Sequence, residues 1–476
     1  MLMNCCDMEV RTKRLFIAAA LSICLVGSAS ADLANRINAV IGRPSQRKVQ
    51  FSIHILKTDS EETVYCHDAN VAMIPASNMK IIVTVAALKF LGPHYEYKTK
   101  IGLCDDKLLI IGSGDPLLGD EATDAKYGRK PGWIFEDIIK ALKQSGIKAV
   151  KDVIVDTTVF DDQRVHQNWP EKDLNQWYAC EVSGLNYNGN CIAMTARTIG
   201  NNVIVAIEPK TGFIEITNEA VPVKKGKTGI GAYRQTGKPN HLVVRGKCKE
   251  QEGPFYVAIE RPAAFFGYLL AENLIGPGIK TEGQLIERAV DDDCNVRLLR
   301  EYTSSMADCL ARCNKNSFGL AAEALLKTIA ANSSLTHKNG SWEAGRKLIS
   351  EYLSSLGISQ SEFYVDDASG LSRQNKLSAN AVTKVLWDVY KSENWGLYKD
   401  SLAVGGVDGT IKKYFGEEKY KGKVFGKTGY IFGVKSFSGI CSGSDGDYIF
   451  SILANNTNGK TRKAINDIAK AIIDGG

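Results

Sequence analysis

The stretch GKTGYIFGVKSFSG (Gly426–Gly439) joins a Lys-Thr-Gly triplet to a run that alternates between apolar and polar residues. Such alternation is typical of a β-strand. A second strand-like run, YIFSILANN, and a helical pattern, TRKAINDIAKAIID, follow it. Two more Lys-Thr-Gly triplets begin at Lys210 and Lys227. None of the three is a nucleotide-binding loop. The first glycine of the GxxxxGK[ST] pattern is replaced by Val221 before Lys227 and by Lys421 before Lys427, and Lys210 follows a proline.

The triplet that begins at Lys427 differs from the other two in its context. It opens a strand that is followed by another strand and a terminal helix. A strand at the edge of a site can hold an extended peptide through main-chain hydrogen bonds. Lys427 would add a cation for a carboxylate, and Thr428 would add a hydroxyl.

A candidate nucleophile lies in PASNMK, which precedes the apolar helical pattern IIVTVAALKFLG. Ser77 and Lys80 are three residues apart, so both lie on one face of a helix. A lysine kept neutral by burial or by another cation can take the proton of a serine hydroxyl. Ser-x-x-Lys also occurs at Ser45 and Ser145, in polar or turn-like runs. Only Ser77 precedes a long apolar helix.

The bulk properties point to an exported protein of more than one domain. A length of 476 residues predicts two or three domains, and the net charge of +6 is spread along the chain without a nucleic-acid-binding motif. Basic residues, the apolar run LFIAAALSICLVG and small residues up to Ala31 are typical of a signal peptide. A retained membrane anchor is the alternative. No later segment reaches 18 apolar residues, so we expect no stable membrane insertion after cleavage and a location in the periplasm or the cell-wall space.

The cysteines favour disulfides over a metal site. Nine of the 12 cysteines follow the predicted signal peptide, and Cys180 and Cys191 flank a turn that suits a local disulfide. The sequence has no CxxC pair and only six histidines, which argues against zinc.

The predicted secondary structure changes twice along the chain. Helical patterns occupy both ends, and short β-like runs with frequent turns fill the middle. This arrangement predicts one domain interrupted by an insertion.

Five motifs then occur in an order that resembles class C low-molecular-mass penicillin-binding proteins of the DacB type. They are PASNMK, NKNSFGLAAEALLK, DDASGLSRQNKLSA, VGGVDGTIKKYF and GKTGYIFGVKSFSG. These relatives are serine D-alanyl-D-alanine carboxypeptidases/endopeptidases that act on peptidoglycan and bind penicillin. The resemblance covers nearly the whole mature chain and implies that the triplet at Lys427 is the functional one.

The resemblance implies an α/β (α+β) transpeptidase/β-lactamase-like domain whose five-stranded antiparallel sheet is flanked by helices and interrupted by a β-rich insertion. The expected segments are the signal peptide (1–31), the two parts of the transpeptidase-like domain (32–95 and 286–476) and the inserted region (96–285).

The resemblance also implies a mechanism. Ser77 would attack the stem peptide of peptidoglycan, Lys80 would be the general base, and Ser317 would pass the proton to the leaving amine. The backbone N–H groups of Ser77 and Tyr430 would bind the oxyanion. The implied substrate-binding residues are Lys427, Thr428, Gly429, Tyr430 and Gly319. β-Lactam antibiotics would acylate the same serine, and no metal or cofactor is required.

One position departs from the family pattern. The family has Ser-x-Asn where this chain has Ser317-Phe318-Gly319. Ser-x-Asn also occurs at Ser378 and Ser392, but the residues around Ser317 match better and Ser378 is typical of a helix cap. The missing amide leaves open a catalytically impaired peptidoglycan-binding homologue. A β-lactamase or esterase is the other alternative, which the long segment between Ser77 and Ser317 disfavours. Carboxypeptidase and endopeptidase activity both remain open.

Overall fold

The structure, a computed structural model, describes residues 31–333 and 339–475. Residues 1–30 of the predicted signal peptide therefore lie outside the described residues. Within the described ranges, no helix combines the length and the apolar character that a membrane crossing needs.

The described residues form both helices and strands. The helices are α1 (31–41), α2 (Met79–Leu91), α3 (Glu121–Lys126), α4 (Trp133–Gln144), α5 (Pro262–Ile275), α6 (Met306–Lys315), α7 (Gly319–Ala331), α8 (Trp342–Ser355), α9 (Ala379–Tyr390), α10 (Trp395–Ser401) and α11 (Thr461–Gly475). The strands are β1 (Gln50–Lys57), β2 (Thr63–His67), β3 (Glu96–Cys104), β4 (Lys107–Ile111), β5 (Ala149–Val150), β6 (Val153–Asp156), β7 (Cys191–Ile199), β8 (Asn202–Glu208), β9 (Glu215–Pro222), β10 (Gly229–Arg234), β11 (His241–Cys248), β12 (Gln251–Ala258), β13 (Lys280–Thr281), β14 (Leu285–Glu287), β15 (Arg297–Ser305), β16 (Phe363–Tyr364), β17 (Lys376–Leu377), β18 (Ala403–Val404), β19 (Val424–Ile431), β20 (Val434–Ser442) and β21 (Asp447–Asn455).

The chain divides into two compact units. Unit 1 comprises the residues up to Ile81, Leu353–Tyr364 and the residues from Asn375 onward. Unit 2 comprises Ile82–Tyr352 and Val365–Gln374. The domain boundaries that the sequence predicts, after residues 95 and 285, stay a prediction.

Unit 1 is built on an antiparallel sheet. Among its described residues the strand order is β18-β19-β20-β21-β1-β2, and every neighbouring pair is antiparallel. The sheet has five longer strands, the number that the family resemblance implied. The sixth, β18, is a two-residue addition at the edge.

The side chains of β1 show how the sheet is covered. Ile53 and Ile55 belong to an apolar cluster with residues of α1 and α11. The intervening residues point to the opposite face, because successive side chains of a strand alternate. There the Ser52 hydroxyl accepts a hydrogen bond from the N–H of Ala379, at the start of α9. The sheet is therefore flanked by helices on both faces, as predicted.

Two details of unit 1 test the sequence analysis. The run YIFGVKSFSGI was expected to form one strand, but Phe432 and Gly433 form a turn that divides it into β19 and β20. Gly433 has φ +76°, a conformation that glycine adopts without steric cost. Ser378 caps α9 as predicted, since its hydroxyl accepts a 2.9 Å hydrogen bond from the N–H of Ala381.

Unit 2 contains smaller sheets and several helices. A mixed five-stranded sheet has the order β14-β6-β4-β3-β15, and two three-stranded sheets have the orders β10-β11-β9 and β12-β7-β8. The core lies between these sheets and helices α4 and α5, where Phe135, Phe265 and Phe266 are buried. The high strand content between residues 96 and 285 agrees with the β-like texture of that part of the sequence.

The cysteine pairing differs from the expectation. A disulfide joins Cys104 and Cys294, which are 190 residues apart in the chain. Cys180 and Cys191 are buried free thiols. The prediction of a Cys180–Cys191 disulfide is therefore wrong. It rested on closeness along the sequence, whereas the observed bridge joins residues that are brought together by tertiary packing.

Candidate active site

Ser77 occupies a short 3-10 helix, Ala76–Asn78, directly before α2. Ala76, the residue before it, has φ +48°. The left-handed conformation costs a residue with a Cβ about 1–2 kcal/mol. Strain of this kind persists where the surrounding structure enforces it, and it concentrates at functional sites. The turn presents Ser77 half-buried while its neighbours on both sides are buried.

Lys80 lies one turn beyond Ser77 in α2. Its Nζ is 3.3 Å from the Ser77 Oγ, within hydrogen-bonding distance. The Lys80 side chain is 2% exposed. The structure therefore places a buried amine beside the candidate nucleophile, at the spacing that the sequence predicted.

The turn that carries Ser77 is anchored to the sheet of unit 1. The side-chain amide of Asn78 donates a 2.5 Å hydrogen bond to the Ser438 hydroxyl. That hydroxyl in turn contacts the Ser451 hydroxyl at 2.9 Å. The Ser436 hydroxyl donates a 2.7 Å bond to the carbonyl of Pro75. Strand β20 thus holds the Pro75 carbonyl before Ser77 and the Asn78 side chain after it.

Lys427 and Thr428 lie on β19. The Lys427 side chain is fully buried, and its Nζ donates a 2.7 Å hydrogen bond to the carbonyl of Thr428. The Thr428 hydroxyl contacts the hydroxyl of Thr410 at 2.9 Å. The other two triplets differ, because Lys210 and Lys227 are exposed and lie in connections between strands.

Gly429 brings β19 against the Ser77 turn. A Cβ built on Gly429 would lie 2.1 Å from the Ser436 Oγ, 2.9 Å from the Pro75 carbonyl oxygen and 3.0 Å from the Ser77 nitrogen. Only glycine fits this approach without a shift of its neighbours. The backbone nitrogen of Ser77 therefore lies beside Gly429, the residue before Tyr430. The Tyr430 side chain is 67% exposed.

Ser317 lies in unit 2, in the connection between α6 and α7. Its φ is +60°, so Ser317, like Ala76, is a non-glycine residue in the left-handed conformation. The conformation is held by the residues beside it. The N–H of Phe318 donates to the carbonyl of Arg312, whose guanidinium lies 4.8 Å from the Phe318 ring centre. Arg312 in turn forms a bidentate pair with Asp120, at 2.7 and 2.8 Å.

Gly319 is the first residue of α7, and the backbone of Tyr178 lies close to it. A Cβ at this position would be 3.0 Å from the carbonyl oxygen of Tyr178 and 3.7 Å from the Cβ of Ser369. The missing asparagine therefore coincides with a close backbone approach by the turn that contains Tyr178. Any larger residue would require that turn to move.

Glu323, one turn into α7, was not predicted from the sequence. Its carboxylate accepts hydrogen bonds from the indole N–H of Trp342 and from the N–H groups of Ala368 and Ser369, at 2.7–3.1 Å. Burial, and next the charge of Asp367, raise the pKa of Glu323 to about 7. Glu323 thus fixes the DASGLSR segment to the helix that follows Ser317.

Asp367 has a mainly structural environment. Its carboxylate accepts hydrogen bonds from the N–H groups of Gly370 and Ser372 and from the indole of Trp169. An Asp side chain that accepts hydrogen bonds from nearby backbone N–H groups stabilises a turn of the Asx type. Trp169 is itself buried.

Unit 1 therefore brings together Ser77, Lys80 and the Lys427–Tyr430 strand, whereas Ser317 and Gly319 belong to unit 2. The sequence analysis did not identify Ser436 and Ser438. They lie two residues apart in a buried strand, and polar residues are unusual at such positions. It also missed Arg462, an arginine at a helix start that has no distinctive pattern around it. In the part of the chain that the structure describes, no cluster of three His, Cys, Asp or Glu residues could hold a metal ion.

The fold is also found in a penicillin binding protein and in a peptidoglycan endopeptidase. The penicillin binding protein 4 of Haemophilus influenzae superposes with a TM-score of 0.77 at 20% identity, covering 91% of this chain and 98% of that one. A predatory peptidoglycan endopeptidase from Bdellovibrio bacteriovorus superposes with a TM-score of 0.51 at 17% identity, covering 90% and 94%.

The chain belongs to the D-Ala-D-Ala carboxypeptidase 3 (S13) family, whose model matches residues 33–474. It is similar to the D-alanyl-D-alanine carboxypeptidase of Actinomadura sp. (strain R39), with 27% identity over 93% of this chain and 84% of that protein. The D-alanyl-D-alanine carboxypeptidase DacB of Haemophilus influenzae is 23% identical over 80% of both chains. The predicted family, fold class and enzyme class, a serine-type D-alanyl-D-alanine carboxypeptidase, are confirmed.

Proposed function

We propose that Ser77 is the nucleophile that cleaves the D-alanyl-D-alanine end of peptidoglycan stem peptides. Its Oγ attacks the carbonyl carbon of the penultimate D-alanine, the terminal D-alanine leaves as a free amine, and water then hydrolyses the ester on Ser77. The observation that carries this proposal is the 3.3 Å contact between Ser77 Oγ and the buried Nζ of Lys80.

Lys80 is the general base in this proposal. Its Nζ takes the Ser77 proton as the C–O bond forms, a contribution of roughly 10²–10⁴ in rate for a positioned base. Ser317, which belongs to the motif of unit 2, passes the proton to the leaving amine. Its left-handed backbone, held by the turn at Phe318, supports a role that requires a fixed hydroxyl position.

The charge that develops on the substrate oxygen meets two backbone donors. The N–H groups of Ser77 and Tyr430 form the oxyanion hole, and the close approach of Gly429 to the Ser77 nitrogen supports this assignment. Donors of this kind are worth roughly 3–4 kcal/mol each when removed from other enzymes. They need no reorganisation, since both belong to hydrogen-bonded backbone.

The substrate carboxylate binds at β19. Lys427 supplies a positive charge and Thr428 a hydroxyl, and the strand itself offers main-chain groups to an extended peptide. Gly319 and Tyr430 complete the substrate contacts. A β-lactam has the same carboxylate and a reactive carbonyl, so it acylates Ser77 in place of the peptide.

The N-terminal sequence supports export. The basic residues, the apolar run and the small residues up to Ala31 are those of a cleaved leader. We place the mature enzyme in the periplasm or the cell-wall space, where peptidoglycan is found.

The test is release of D-alanine from a tripeptide that ends in D-alanyl-D-alanine. The wild-type enzyme should release one equivalent per peptide, and Ser77→Ala should release none. Crosslinked muropeptides in a parallel assay separate endopeptidase from carboxypeptidase activity. A folded wild type that cleaves neither substrate would refute the proposal. It would favour a peptidoglycan-binding role, which saturable binding to purified sacculi would reveal.

A further inference from the structure

Arg462 reaches the strand pair that faces Ser77 from the first turn of α11. Its two terminal nitrogens donate to two carbonyl oxygens, Nη2 to Gly429 at 3.0 Å and Nη1 to Ser436 at 3.2 Å. Gly429 and Ser436 are partners in the register between β19 and β20. One guanidinium therefore holds both strands at the point where β19 lies against Ser77.

The first of these bonds acts on the peptide unit that ends in the N–H of Tyr430. The carbonyl of Gly429 and the N–H of Tyr430 belong to the same amide. A cation bonded to the carbonyl oxygen withdraws electron density from that amide, because hydrogen bonds in a chain polarise one another. Charge-assisted bonds are roughly twice as strong as neutral ones. The Tyr430 N–H consequently becomes a better donor and is fixed in direction.

The second bond supports the other side of the same site. The hydroxyl of Ser436 holds the carbonyl of Pro75 at 2.7 Å, just before the turn that carries Ser77. Arg462 holds the backbone of Ser436 by its carbonyl. Both backbone donors of the proposed oxyanion hole thus depend on one side chain.

The charge of Arg462 is not cancelled by a carboxylate. Burial lowers the pKa of Arg462, and the group that opposes this effect is Tyr414. Among the residues that the structure describes, no carboxylate pairs with the guanidinium. Its field therefore acts on the two carbonyls with little local compensation.

We propose that Arg462 is a positioning residue that polarises the Gly429–Tyr430 amide and so strengthens the oxyanion hole. This inference rests on the proposed function of Ser77. Arg462 touches neither substrate nor nucleophile, and it acts through the backbone of β19. It should therefore affect the acylation step more than the initial binding of a β-lactam.

The test compares Arg462→Gln and Arg462→Lys with Lys463→Gln, which removes an exposed cation from the same turn of α11. Benzylpenicillin labelled with ¹³C in its β-lactam carbonyl is the probe. The acylation rate constant and the apparent dissociation constant are measured separately by quenched intact mass. Difference infrared spectroscopy then reports the ester carbonyl stretch of each acyl-enzyme, which falls in frequency as the hydrogen bonds to the oxygen strengthen.

We expect Arg462→Gln to lower the acylation rate constant by roughly tenfold to a hundredfold, less than the loss of a whole donor. The dissociation constant should stay near the wild-type value, and the ester carbonyl should move to higher frequency. Arg462→Lys should recover part of both effects, and Lys463→Gln should show neither. A purely structural role would lower the melting temperature and leave the carbonyl frequency unchanged.

Two results would overturn the inference. One is that Arg462→Gln acylates as fast as a normally reacting wild type and that its ester carbonyl band is not shifted. The other applies if Arg462→Gln does not fold. In that case an unchanged acylation rate constant and an unchanged carbonyl frequency in Arg462→Lys would overturn the inference. Absence of an adduct on the wild type would instead refute the proposed function itself, so the two failures are distinguishable.

Discussion

Gly429 and Ser77 approach each other through backbone alone. A Cβ on Gly429 would be 3.0 Å from the Ser77 nitrogen and closer still to Pro75 and Ser436. Gly429→Ala should therefore push β19 away from the nucleophile. Because a displacement of about 1 Å costs on the order of a hundredfold in rate, we expect penicillin acylation to fall by that order.

The control is Gly416→Ala, at an exposed glycine with no atom near its added Cβ, which should acylate normally. Adding Ser436→Ala to Gly429→Ala removes the atom that would be nearest, at 2.1 Å, and should restore part of the rate. Normal acylation by Gly429→Ala alone would contradict the close approach.

Lys80→Met keeps an apolar stem in the buried site and removes the amine beside Ser77. If the amine is the general base, acylation should slow by roughly 10²–10⁴-fold while the fold persists. Lys89→Met, at an exposed position of the same helix, is the matched control. Quenched intact-mass kinetics with benzylpenicillin measure both. Equal rates in the two variants would show that Lys80 is not the base.

Restoring the family's asparagine at Gly319 should not improve the enzyme. Any side chain here must displace the Tyr178 carbonyl, which would be 3.0 Å from the new Cβ. We expect Gly319→Asn and Gly319→Ala both to slow acylation by roughly tenfold, part of the hundredfold that a 1 Å shift costs. The alanine variant carries the same Cβ without the amide. A faster Gly319→Asn beside a slower Gly319→Ala would show that the missing amide limits the natural enzyme.

Glu323 should make stability depend on pH. Its pKa is about 7 in the folded protein, above the ordinary value, so the folded state holds the proton that the unfolded state releases. The unfolded state then binds fewer protons between about pH 4.5 and 7, and stability falls as pH rises through this window. The effect is on the order of 3 kcal/mol, since one pKa unit is about 1.4 kcal/mol.

Chemical denaturation of the wild type and of Glu323→Gln at pH 5 and pH 8 checks this linkage. The free energy of unfolding of the wild type, minus that of the variant, should be lower at pH 8 by roughly 3 kcal/mol. Glu343→Gln, at an exposed position of α8, controls for the loss of one carboxylate. A pH-independent difference between wild type and Glu323→Gln would contradict a raised pKa.

Local patterns predicted several elements of the fold. The apolar pattern after PASNMK predicted α2, the strand-like run YIFSILANN predicted β21, and the helical pattern TRKAINDIAKAIID predicted α11. These elements can be predicted because hydrophobic periodicity is a property of neighbouring residues in the sequence. The turn at Phe432 was missed because alternation continues on both sides of it.

Long-range relationships were not predictable in the same way. The Cys104–Cys294 disulfide and the bonds of Arg462 to β19 and β20 join residues that no local spacing relates. Glu323 lay within a recognised motif, yet its partners at Ala368 and Ser369 are more than 40 residues away. Only the folded chain shows which polar groups are buried together.

The most direct test of Ser77 as the nucleophile is intact-mass analysis after exposure to benzylpenicillin, with proteolytic mapping of the adduct. The account predicts one drug mass on the wild type, located on the peptide that contains Ser77, and none on folded Ser77→Ala. An adduct on another residue, or the same adduct on Ser77→Ala, would contradict it. So would a folded wild type that neither retains nor hydrolyses the drug.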